Sequence, residues 1–157
     1  MLRKQVSNFK HLKPMIGLTS QVPVEDAPRK AKYAKVLLID DNTLDNFVNK
    51  KLVEMNNFAE KTEVCESAQS ALEYLKNEKT DNLPDIIFLD IMMPVMDGFQ
   101  FLDAFEMLNE SIQKKCKIIM LSTSDSFKDL NRANKNRFVH KFLNKPLNEQ
   151  VLGAINI

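Results

Sequence analysis

From position 34 onward the chain alternates short apolar runs with longer segments of helical spacing. AKVLLID (34–40) and DIIFLD (85–90) are of strand type. Within them VLLI and IIFL are apolar at every position rather than every second one, as in central parallel strands covered on both faces. TEVCE (62–66), KIIML (117–121) and RFVHKFL (137–143) complete a set of five strands. Between them, residues 42–57 carry Leu44, Phe47, Val48, Leu52 and Met55 at helical spacing, with Asn42 or Thr43 able to cap. Residues 67–78 predict a helix with Ala68, Ala71, Leu72 and Leu75 inward. Further helices are predicted over 98–109, more weakly around 127–134, and over a short closing segment, 148–157. Five strands alternating with five helices describe an α/β fold, a doubly wound parallel sheet with helices on both faces.

Composition adds an asymmetry to this picture. The net charge of +1 conceals a +6 balance over residues 1–35 and −5 over the remainder. Residues 1–33 contain no apolar stretch long enough for a signal-peptide core or a membrane span. They are expected to form a basic, flexible tail to a domain spanning 34–157, with a docking arm for an acidic partner or membrane surface as the sharper alternative. Cys65 and Cys116 lack C-x-x-C spacing and are expected as two half-buried thiols, with neither a disulfide nor a zinc site. His11 and His140 have no ligand-like companions. Three glycines in the whole chain exclude a glycine-rich dinucleotide fingerprint.

The polar residues gain meaning from where the strands end. Ligands of open parallel sheets gather at the carboxyl ends of the strands. There the first strand delivers Asp40 and Asp41, the third Asp90, the fourth Ser122-Thr123-Ser124, and the fifth leads into Lys145-Pro146. Three carboxylates together repel one another unless a cation compensates them. Oxygen ligands without cysteine or histidine favour Mg²⁺. With Lys145 as a second positive charge, the edge suits a phosphoryl group, and Asp90 is the candidate nucleophile.

The acidic pair in LLIDDN, the D-x-x-M-P-x-M-D-G spacing of FLDIMMPVMDG, MLSTS and the Lys-Pro of FLNKPL resemble the receiver domain of two-component response regulators. The resemblance covers residues 34–157 and implies the flavodoxin-like strand order 2-1-3-4-5. It implies Asp90 as phosphoacceptor, with Mg²⁺ held by Asp40, Asp41, Asp90 and the backbone carbonyl of Met92. It further implies Lys145 as the phosphoryl partner, a cis bond before Pro146, Ser122 as switch hydroxyl and Phe142 as switch aromatic. The phosphodonor would be a sensor histidine kinase or a histidine phosphotransfer protein, and the output an unidentified protein contact in the cytoplasm. Two departures stand out. Thr123 is bulkier than the alanine or glycine often found there, which narrows access. Met92 replaces a polar side chain that could orient water, so slow autodephosphorylation is expected.

Other classes fare less well. An aspartyl-nucleophile phosphatase wants a second acid where Met92 stands. A flavodoxin-like cofactor site is a poor match to three carboxylates, and a phosphorylation-independent scaffold would not need the acid and lysine set. No basic recognition helix points to nucleic acid. With eleven residues after Pro146, a stand-alone switch with a reduced output face is expected.

Overall fold

The computed structural model describes residues 30–123 and 125–157. The predicted tail and His11 lie outside the described residues, except for the tail's last few positions. Everything below belongs to the unit Ala31–Ile157.

Five strands form one parallel sheet: β1 (Tyr33–Ile39), β2 (Ala59–Cys65), β3 (Ile86–Asp90), β4 (Lys117–Ser122) and β5 (Val139–Asn144). Their order is β2-β1-β3-β4-β5, as the resemblance implied. The apolar runs explain the order. From Val36 to Ile39 in β1, throughout β3, and from Ile118 onward in β4, every residue is buried, whereas β2 and β5 leave several residues exposed. Strands with no polar face must sit where both faces are covered, so the mixed ones take the edges.

Alternate residues of the central strands supply two cores. Val36, Leu38, Ile86, Phe88, Ile119 and Leu121 face helix α1 (Thr43–Met55), through Val53, and helix α6 (Glu149–Gly153), through Leu152. Leu37, Ile39, Ile87, Leu89, Ile118 and Met120 face the other side. That side is covered by α2 (Ala68–Asn77), α3 (Gly98–Phe105), α4 (Glu110–Lys115) and α5 (Phe127–Lys135). Phe88, Phe101 and Phe105 are fully buried, each worth about 1.5–3 kcal/mol of transfer free energy. No helix among the described residues is long and apolar enough to cross a membrane.

The structure orients the first helix and corrects three expectations. The stripe Leu44, Phe47, Val48 and Met55 does not face the core: these residues are 51–81% exposed, and only Leu52 is partly buried. The buried face of α1 is instead Asn46, Asn49 and Val53. Its rotation satisfies the first strand's end, because Asn46 Nδ2 donates to the Asp40 carbonyl oxygen at 2.7 Å. The helix predicted over 98–109 stops at Phe105, and the separate α4 begins after Asn109, whose side chain accepts from the Ile112 N–H. Gln113 Nε2 bridges the break by donating to the carbonyl oxygens of Glu106 and Leu108, each at 2.8 Å, so the described residues hold six α-helices rather than five. The closing helix is confined to Glu149–Gly153. Finally, Cys116 is buried and only Cys65 is half-buried; burial pushes the Cys116 thiol up to about 12, and that of Cys65 upward as well.

Candidate functional site

The site grows from three strand ends. Beyond β1, Asp40 is fixed through its own groups: its N–H donates to the Cys65 carbonyl at 3.2 Å, and its Oδ1 accepts from Asn42 N at 2.9 Å. Asp40 is thus buried, while Asp41 next to it is exposed. Asn42 then caps α1, its Oδ1 accepting from Asp45 N at 3.0 Å. The tight turn from strand to helix follows from these two short polar side chains.

Asp90 ends β3 and is 5% exposed. The loop after it alternates its side chains: Met93 is buried and Met96 packs on the core, whereas Met92 and Val95 point to solvent, 69% and 89% exposed. Val95 has φ 71°, a left-handed conformation that is costly for a β-branched residue. Asp97 closes the loop with a capping box, its Oδ1 accepting from Gln100 N and its N–H donating to Gln100 Oε1. Gly98 is required by proximity, since a Cβ there would lie 2.8 Å from the Asp90 carbonyl oxygen and 2.9 Å from Ile91 Cα.

From the far side of the sheet, Lys145 N–H donates to the Ser122 carbonyl at 2.8 Å, so the end of β4 anchors the lysine. The Lys145–Pro146 bond is cis. Lys145 Nζ donates to Asp40 Oδ2 at 2.6 Å, to Asp45 Oδ2 at 3.0 Å, and lies 3.2 Å from Asp90 Oδ1. Burial works to lower this amine's pKa, but the bonds to Asp40 and Asp45 and the charge of Asp90 outweigh it and hold the pKa above its ordinary value. The Asp90 pKa is raised as well: burial, then the charge of Asp40, push its carboxyl up to about 6, with Lys145 opposing and Asp41 adding.

Carboxylate oxygens of Asp40, Asp41 and Asp90 lie within 4.8 Å of one another. An all-oxygen set with one buried floor and one exposed arm fits a hard divalent cation. Ser122 is buried at the end of β4, and Phe142 of β5 is half-buried against the core. Phe142 also lines a cleft of about 320 Å³ with Phe127, Leu130 and Asn144. His140 is exposed, with Nδ1 near the Phe138 carbonyl. Sequence reasoning missed Asp45 and Asn46. Both occupy the first turn after the acidic pair, the turn nearest the strand ends, and that position was the available signal.

The family model described as the response regulator receiver domain matches residues 36–155. The chain belongs to that family. This receiver is 29% identical over 114 residues to the probable methanogenesis regulatory protein FilR2 of Methanothrix harundinacea, covering 71% of the chain and 72% of that protein. It is 42% identical over 78 residues to protein PilG of Pseudomonas aeruginosa, covering 48% of the chain and 54% of PilG. The receiver therefore spans only about half of PilG. Among solved structures, a two-component response regulator from Cytophaga hutchinsonii superposes with a TM-score of 0.73 at 29% identity, covering 80% of this chain and 93% of that one. The protein carries a receiver domain of two-component signalling.

Proposed function

We propose that the domain of residues 34–157 is a phosphorylation switch, accepting a phosphoryl group on Asp90 from a phosphohistidine of a sensor histidine kinase or phosphotransfer protein. One observation carries the reading: Asp90 lies within 4.8 Å of two further carboxylates and 3.2 Å from a lysine ammonium. A carboxylate oxygen of Asp90 attacks phosphorus, the phosphorus–nitrogen bond to the donor imidazole breaks, and the imidazole keeps the electron pair. Lys145 balances charge on the phosphoryl oxygens, and the burial of Asp90 keeps bulk water from the acyl phosphate. Mg²⁺, held by Asp40, Asp41, Asp90 and the Met92 carbonyl, would supply the remaining neutralising charge.

The readout follows from Ser122 and Phe142. Ser122 hydroxyl turns to the phosphoryl group, and Phe142 moves inward, with the adjoining cleft giving it room to turn. The surface formed by α5, β5 and α6 then passes the signal to a protein partner. The exposed stripe of Leu44, Phe47 and Val48 on α1, close to the Asp40 end of the site, supports a protein donor landing there.

Incubation with acetyl phosphate and Mg²⁺, read by intact mass, tests this. One phosphoryl adduct is expected, absent in Asp90→Asn. A wild-type protein that takes up neither a phosphoryl group nor beryllofluoride would overturn the proposal.

A further inference from the structure

Lys145 carries three ammonium protons and faces three carboxylates, of which only two belong to the expected acidic set. The third, Asp45, belongs to α1 and sits closer to the ammonium than Asp90 does, at 3.0 Å against 3.2 Å. Its environment differs as well. The Asp40 and Asp90 side chains are 5% and 7% exposed, whereas that of Asp45 is 40% exposed. Withdrawing the lysine from either buried carboxylate leaves an uncompensated buried charge, but water can replace it at Asp45. An incoming phosphoryl group needs a donor from Lys145 and adds negative charge beside these carboxylates.

We infer that Asp45 is a positioning residue that holds the Lys145 ammonium toward α1 in the resting protein and competes with the phosphoryl group for it. The inference rests on the reading of Asp90 as phosphoacceptor. Asp45 is the partner that yields, so its ion pair raises the threshold for phosphorylation and weakens the hold on the phosphorylated form. Its backbone N–H also completes the Asn42 cap, but that bond survives any change of side chain.

The test compares wild type with Asp45→Ala and Asp45→Glu. Without metal, ¹⁵N spectra of the lysine ammonium groups read the ion pair directly. A protected Lys145 signal is expected in wild type and Asp45→Glu, exchanging faster in Asp45→Ala. With Mg²⁺, beryllofluoride should bind Asp45→Ala about fivefold more tightly, from loss of one partly exposed competing ion pair. The acetyl phosphate concentration at half-maximal rate should fall by a similar factor while the maximal rate moves less. Asp45→Glu should remain within about twofold of wild type. A merely structural acid would lower unfolding stability in Asp45→Ala without tightening beryllofluoride. Unchanged or weaker binding by folded Asp45→Ala, with wild type still phosphorylated, overturns the role of Asp45 alone. Failure of wild type to take up phosphoryl group or beryllofluoride overturns the reading of the site, and Asp45's role with it.

Discussion

Replacing Asp90 with asparagine should stabilise the metal-free domain at neutral pH, although it removes the residue on which the proposed function depends. Burial and the Asp40 charge raise the Asp90 carboxyl from its ordinary 3.8 to about 6. The folded state therefore holds this proton more tightly than the unfolded chain does. The stability this provides is complete below about pH 4 and is lost as pH rises through about 6. Two pH units at 1.36 kcal/mol each put the cost of ionising Asp90 in the folded protein at about 3 kcal/mol. Asparagine keeps the shape and carries no charge, and Lys145 retains Asp40 and Asp45. Allowing for the lost third contact, Asp90→Asn should be more stable than wild type by about 1–3 kcal/mol near pH 7.5. Urea denaturation in a chelator from about pH 4 to 7.5 reads the difference. Carboxylates such as Asp85, whose pKa is lowered, change stability in the opposite sense, but they are common to both proteins and cancel. Adding Mg²⁺ should close the gap by stabilising wild type preferentially. A variant no more stable than wild type near pH 7.5, or a gap that does not vary with pH, would refute the reasoning.

Four further outcomes are expected. Met92→Asn, at an exposed position two residues past Asp90, should shorten the lifetime of phospho-Asp90 measured by phosphate release; an equal or longer lifetime would contradict the role given to Met92. Val95→Asn relieves a left-handed β-branched residue on the surface and should raise unfolding free energy by about 1 kcal/mol, measured by urea denaturation. Phe47→Lys on the exposed stripe should change stability by less than about 0.5 kcal/mol. Val53→Ala, on the opposite face of the same helix, should cost about 2 kcal/mol, and the reverse ranking would show that α1 is turned the other way.

Much of this protein was legible along the chain because the relevant physics is local. A strand apolar at every position can be stable only between two covered faces, so VLLI and IIFL had to be central. An acid placed just beyond such a strand is carried to the sheet edge whatever surrounds it, which is why Asp40, Asp90 and the Lys145-Pro146 pair could be assembled from position alone. Other features depend on contacts across long separations. Helical spacing revealed an apolar stripe on α1 but not its direction. The amide of Asn46, needed at the Asp40 carbonyl, turned Phe47 outward and Val53 inward. The break after Phe105 was written faintly, in the capping asparagine at 109, but became visible only once Gln113 was seen to satisfy the carbonyls it leaves.

The amino-acid sequence by itself thus determined the layers, the central strands and the chemical character of the edge, since burial and backbone pairing follow from runs of a few residues. Tertiary structure alone decided which carboxylates share the lysine. Asp45 and Lys145 are 100 residues apart, and only closure of the sheet from β1 across to β5 brings that ammonium between α1 and Asp90.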